Sequence, residues 1–135
     1  MHVLDTSVVT KWFFREPDSD LAVELLRSEK ELFAPDYLRI EFLSNVSKKV
    51  RAGQITIEEG REHQNKFEKI SFHLVPYKKL ENIAFEFSTQ YPITYYDSIF
   101  IALAYSQRSK LYTFDKRLKR SVEETALDSL VMIPK

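Results

Sequence analysis

The sequence has no cysteine, which excludes disulfides, thiolate metal sites and cysteine nucleophiles. This fits a reducing compartment. Its two glycines, Gly53 and Gly60, are too few for a G-x-G-x-x-G or G-x-x-x-x-G-K phosphate loop. No G-x-S-x-G elbow supports a serine hydrolase. The three histidines, His2, His63 and His73, lack H-x-x-x-H spacing and read as structural or surface side chains. Neither sign of charge is in excess: 20 basic and 20 acidic residues give zero formal net charge. The footprint of a strongly basic nucleic-acid binder is therefore missing. Neutrality is still compatible with an acidic pocket offset by a basic rim. No apolar run approaches the roughly 20 residues that cross a bilayer. The opening MHVLDTSVV has no basic leader, and an acid interrupts its short apolar run, so it does not read as a signal peptide. The expectation is a soluble cytoplasmic protein without a membrane partner.

What is present fits one domain over residues 1–135, with 44% hydrophobic and 30% charged residues. Short apolar runs alternate with helical stretches. The expected strands are His2–Leu4, Leu32–Ala34, Ser71–Val75, Leu111–Phe114 and Leu130–Ile133. Between them fall helices from Thr6 to Phe14, onward to Ser28, from the Asp36 cap to Arg51, from the Thr56–Glu59 capping box, over Leu80–Gln90, from Thr94, and over Lys116–Glu124. Ile99 to Ala104 is apolar nearly all round, which places that helix deep in the core. Trp12-Phe13-Phe14 reads as core, with an interface as the alternative. Alternating strands and helices predict an α/β fold, a central parallel sheet of about five strands with helices on both faces.

Four acids stand out by their place in this pattern. Asp5 and Asp115 sit at strand C-terminal tips, Glu41 lies early in the helix after Leu32–Ala34, and Asp97 lies in the first turn of the apolar helix. A parallel sheet binds ligands outside its strand C-termini, so Asp5, Glu41 and Asp115 are delivered to one edge. Asp97 joins them if its helix starts there. Each acid also has a local explanation: Asp5 and Asp115 as helix caps, Asp97 as the acid of a capping box, Glu41 as a surface residue. Their apolar flanks favour a site, because acids near a core need a partner charge or a metal. All-oxygen ligation selects Mg²⁺ or Mn²⁺ over zinc, and such sites usually serve phosphoryl-transfer chemistry.

These residues carry a resemblance. VLDTSVV resembles the opening of PIN domains, APDYLRIEFLSNVSKKVRAGQIT their second motif, and YYDSIFIALAYSQRSKLYTFDKRL their third and fourth motifs joined. In order and spacing the whole chain is similar to VapC-type toxins of toxin–antitoxin pairs. The resemblance implies a PIN-like three-layer sandwich and a divalent-metal site of Asp5, Glu41, Asp97 and Asp115. It also implies Mg²⁺- or Mn²⁺-dependent endoribonuclease activity, commonly a homodimer, and a cognate antitoxin that blocks the site. Ser7 and Thr113 become supporting hydroxyls, with local backbone capping as the alternative. Lys116 and Arg117, starting beside Asp115, are the better candidates for holding RNA; Lys48, Lys49 and Arg51 read as a solvated helix end. The competing readings are a metal-dependent phosphatase on a related α/β fold, a receiver module, and a catalytically silent PIN-like interaction module. Ser7 stands where a haloacid-dehalogenase-like enzyme would carry a second Asp, and Val75-Pro76 ends the third strand without a receiver's acid.

Overall fold

A computed structural model describes residues 1–28 and 31–135. The chain runs β1 (His2–Leu4), α1 (Thr6–Phe13), α2 (Ser19–Arg27), β2 (Leu32–Pro35), α3 (Tyr37–Arg51), α4 (Ile57–Glu68) and β3 (His73–Val75). It continues through α5 (Glu81–Gln90), α6 (Tyr95–Ser106), β4 (Leu111–Tyr112), α7 (Lys116–Val122) and β5 (Val131–Met132). Short 3-10 turns lie at Tyr77–Lys79 and Asp128–Leu130.

The five strands form one parallel sheet in the order β3-β2-β1-β4-β5. β1 is central because Val3 and Leu4 are fully buried, one toward each layer of helices. Val3 belongs to the large core built with α3, α5 and α6, whereas Leu4 packs with Val8, Ala22 and Leu32 under α1 and α2. α6 carries an unbroken buried run from Ser98 to Ala104, as its all-round apolarity predicts. Trp12, Phe13 and Phe14 pack against the core. Trp12 Nε1 donates to Ala22 O at 2.6 Å, so the core reading of that triplet holds.

Several boundaries differ from expectation for local reasons. β4 ends near Tyr112 because, after Thr113 N donates to Met132 O, the following amides turn to side chains: Phe114 N donates to Ser7 Oγ and Asp115 N to Thr113 Oγ1. β3 begins at His73 because Phe72 N is spent on a tight turn to Ile70 O. β5 starts at Val131 because Leu130 N closes the 3-10 turn onto Leu127 O. α7 stops at Val122, since Glu123 is extended and Glu124 is left-handed at φ 65°. Asp36 holds the N-cap position of α3 but makes no side-chain cap. Its Oδ1 accepts instead from Tyr77 N at 2.9 Å and ties α3 to the end of β3. At the other end of α3, Gly53 takes φ 73°, a left-handed conformation that suits glycine.

Candidate active site

Successive strands build outward from β1 to β2 and β3, then the chain returns to place β4 on the other side of β1. Order therefore reverses between β1 and β4, and the crevice outside their C-termini is where such sheets bind ligands. Asp5 follows β1 there, and Thr113 and Asp115 follow β4.

Asp5 occupies the N-cap position of α1 without making a cap. Its carboxylate turns across to the next strand instead. Asp5 Oδ2 accepts from Thr113 Oγ1 at 2.6 Å and from Ser7 Oγ at 2.8 Å. The two hydroxyls lie 3.2 Å apart, and Ser7 Oγ also accepts from Phe114 N at 3.0 Å. Thr113 is fully buried. Two side chains, one from each side of the reversal, thus lock one carboxylate, using neutral donors only. Local capping alone does not describe Ser7 and Thr113, because each bonds a partner more than 100 residues away.

Glu41 sits in the second turn of α3, which β2 delivers to the same edge. Thr6 Oγ1 donates to Glu41 Oε1 at 2.7 Å across 35 residues. Thr6 is buried, and its carbonyl accepts from Thr10 Oγ1 at 2.9 Å. Sequence reasoning assigned Thr6 only to the start of a helix. The available signal was its place directly after Asp5, where a hydroxyl on the first helical turn faces the next element along the sheet. Asp115 does cap α7, through Oδ1 accepting from Leu118 N at 3.0 Å. Asp97 lies in the first turn of α6, whose start is thereby placed at this edge. Thr94 Oγ1 accepts from the Asp97 amide at 3.0 Å.

The charge of Asp5 acts on Glu41 and Asp97, that of Asp115 on Asp5 and Asp97, and that of Asp97 on Glu41. Burial pushes the Asp5 carboxyl above its ordinary range; Thr113, Ser7 and the Thr6 amide oppose this, and the Asp115 charge adds to it. Burial likewise raises Glu41 against its Thr6 hydrogen bond, with repulsion from Asp5 and Asp97. Asp97 is pushed up to about 6, first by burial and then by Asp5 and Asp115, against relief from Thr94 and Arg117. Among the described residues none of the four makes an ion pair. Among them, too, no group of three or more His, Cys, Asp or Glu side chains stands at metal-binding spacing. The donor chemistry fits a hard divalent cation, because it supplies carboxylate oxygens, uncompensated charge and no thiolate or imidazole.

The PIN domain family model matches residues 2–123. The chain belongs to the PIN domain family. Solved structures share its fold at low identity. A toxin–antitoxin complex from Klebsiella pneumoniae superposes with TM-score 0.72 at 13% identity, covering 100% of this chain and 98% of that one. VapBC2 from Rickettsia felis, bound to a promoter DNA fragment, gives 0.66 at 15%, covering 99% and 98%. The VapC20 toxin of Mycobacterium tuberculosis, described as cleaving the sarcin–ricin loop, gives 0.65 at 12%, covering 84% and 88%. No curated protein matches. The expected α/β sandwich with a five-stranded parallel sheet is thus the PIN fold.

The remaining sequence candidates sort by distance from this PIN-domain crevice. Lys116 and Arg117 are exposed on the first turn of α7, and the Arg117 charge reaches Asp97. Lys48, Lys49 and Arg51 lie at the opposite end of α3 from its entry into the site, with Lys49 Nζ over the Phe14 ring at 4.6 Å. His63 packs against Phe13 and Phe14, His73 stacks on Phe33, and His2 meets Tyr112 edge-on. No helix is long and apolar enough to cross a membrane among the described residues.

Proposed function

We propose that this PIN-domain protein is a Mg²⁺- or Mn²⁺-dependent endoribonuclease, the toxin of a toxin–antitoxin pair. The observation that carries the reading is the carboxylate crevice at the sheet's reversal point, where Asp5 is held by three neutral donors and, among the described residues, none of the four acids is ion-paired. Asp5, Glu41 and Asp97 would be the main metal ligands, and Asp115 would complete the set through the oxygen its helix cap leaves over. When bound, the ion supplies a water of lowered pKa and charge stabilisation for the leaving oxygen of a phosphodiester.

The chain's own residues prepare that chemistry. Thr113 and Ser7 fix the rotamer of Asp5, and Thr6 fixes that of Glu41, so two ligands are ordered before anything binds. Asp97 holds a proton more readily than an ordinary aspartate, so it is only half ionised at about pH 6. Lys116 and Arg117 would hold the substrate's phosphates beside the crevice. The toxin–antitoxin neighbours support a protein antitoxin that covers the acids, and exposed Phe85 and Tyr105 leave apolar surface for a second copy of the chain.

The test is cleavage of mixed cellular RNA by the purified chain in Mg²⁺, in Mn²⁺ and in EDTA, beside Asp97→Asn. Discrete cleavage that needs both metal and Asp97 is expected. Metal-independent cleavage, or full activity in Asp97→Asn, would remove the assignment. Sedimentation of the chain alone is expected to show a dimer.

A further inference from the structure

Beside the acids lies an open groove of about 660 Å³ between the first turns of α3 and α6, lined by Tyr37, Ile40, Tyr77, Tyr95, Tyr96 and Ile99. Four of its eight lining residues are tyrosines. Tyr37 and Tyr96 stack on one another, with ring centroids 5.5 Å apart and planes inclined by 20°. Tyr77 and Tyr95 are joined hydroxyl to hydroxyl, which holds the back of the groove. Tyr96 remains 58% exposed and Ile40 62% exposed, so an apolar, ring-faced surface meets solvent directly.

Its position ties it to the crevice. Tyr96 immediately precedes Asp97. Tyr37 is four residues before Glu41 on α3, one turn away on the same helix face. The Glu41 charge acts on the Tyr37 hydroxyl, which is raised chiefly by burial and then by Glu41 and Tyr96. The groove offers little to a phosphate backbone. Among the described residues its one lining cation, Arg39, is ion-paired with Glu68. Asp36 at the rim is held by the Tyr77 amide and adds negative charge. A flat, uncharged π-face is the ligand such a surface accepts, and every nucleobase has one.

Resting on the nuclease reading above, we infer that Tyr96, backed by Tyr37, is a stacking platform for an unpaired base of the RNA substrate next to the scissile phosphate. The platform positions the substrate by stacking, while Lys116 and Arg117, exposed at the start of α7 after Asp115, contact phosphate. Two separate sources of affinity follow, one insensitive to salt and one sensitive to it.

The test uses the full chain and a labelled single-stranded oligoribonucleotide of mixed sequence. Binding is read by anisotropy with Mg²⁺ in the Asp97→Asn background; kcat and KM are read in the otherwise unchanged chain. Stacking on one ring is worth about 1–3 kcal/mol, so Tyr96→Ala should weaken binding by roughly 5- to 150-fold. KM should rise more than kcat falls, and the slope of binding against salt should stay as it was. Tyr96→Phe should keep near-original affinity, because the ring face remains. Equal melting temperatures for the Ala and Phe variants exclude a folding defect. Binding within twofold after Tyr96→Ala, or an equal loss in Tyr96→Phe, overturns the platform alone if the unchanged chain still cleaves RNA. A shift from dimer to monomer in Tyr96→Ala, in step with lost affinity, overturns it in favour of a contact between copies. If the unchanged chain neither binds nor cleaves RNA, the nuclease reading fails and the platform with it.

Discussion

Two helix starts in this chain carry the same pattern, a threonine followed three residues later by an acid, and they have opposite fates. At α4, Thr56 Oγ1 accepts from the Glu59 amide at 3.1 Å, and Glu59 Oε1 accepts in return from the Thr56 amide at 3.0 Å. Those bonds hold the exposed Glu59 below its ordinary range. At α6, Thr94 caps the Asp97 amide in the same way, but no carboxylate returns to the Thr94 amide. Asp97 is instead raised to about 6 by burial and by Asp5 and Asp115. Aspartate is one methylene shorter than glutamate, which hinders the return bond. The larger difference is what each helix faces. α4 starts in solvent, whereas α6 starts at the reversal point of a parallel sheet, against two strand-end carboxylates. One local motif therefore yields a relaxed structural acid in one place and a strained, chemically available acid in the other.

Neutralising each acid sets this contrast to its hardest test. Asp97→Asn should lower metal-dependent cleavage by on the order of 10³-fold, since several kcal/mol of transition-state stabilisation depend on the metal set. Glu59→Gln should leave kcat and KM unchanged. Cleavage assays of the two purified variants in Mg²⁺ check both, and a Glu59→Gln enzyme as impaired as Asp97→Asn would erase the distinction. The next effect in size concerns the hydroxyls that aim the acids. Thr113→Val removes a fully buried donor to Asp5 and should cost about 1–2 kcal/mol of stability in urea titrations. It should also cost about 10- to 100-fold in cleavage or metal affinity, as losses of ligand-orienting partners do. A stability loss with activity intact would make Thr113 a packing residue only.

The sheet, its parallel sense and the buried α6 were legible because apolar periodicity and burial are properties of the local string. The four acids were legible as candidates because strand ends locate a sheet edge. Whether Asp97 reaches that edge was not, since it depends on where α6 starts relative to β1. The pairing of Thr6 with Glu41 was hidden for the same reason: 35 residues separate two groups that only the packing of α1 on α3 brings together. Asp36 shows the reverse failure. Its sequence position says helix cap, yet the amide of Tyr77, 41 residues on, takes its oxygen. The strand end at Phe114 was overestimated because a serine hydroxyl replaces the ladder's acceptor there. The site and the sheet compete there for the same backbone amide.

The smallest effect separates the two acids by sign. For Asp97 the folded value, about 6, lies above the ordinary 3.8 that the unfolded chain approaches. The folded chain then holds the extra proton between those values, and unfolding releases it. Without metal, the Asp97 contribution to stability is greatest below about pH 4, declines as pH rises toward 6, and stays low above that. Asp5 and Glu41, also raised, act in the same direction. Glu59, held below its ordinary range, acts oppositely and loses its contribution as pH falls. In EDTA, Asp97→Asn should therefore raise stability near pH 7 and flatten the decline between pH 4 and 6. Part of the Asp97 side chain stays in contact with water, so screening reduces the gain to on the order of 1 kcal/mol. Melting curves across this range, with EDTA and with Mg²⁺, read the balance directly. Mg²⁺ should stabilise the original chain more than the variant, because it binds the folded acids and the variant has lost one. A variant no more stable than the original in EDTA would mean that the acids carry no strain before the metal arrives.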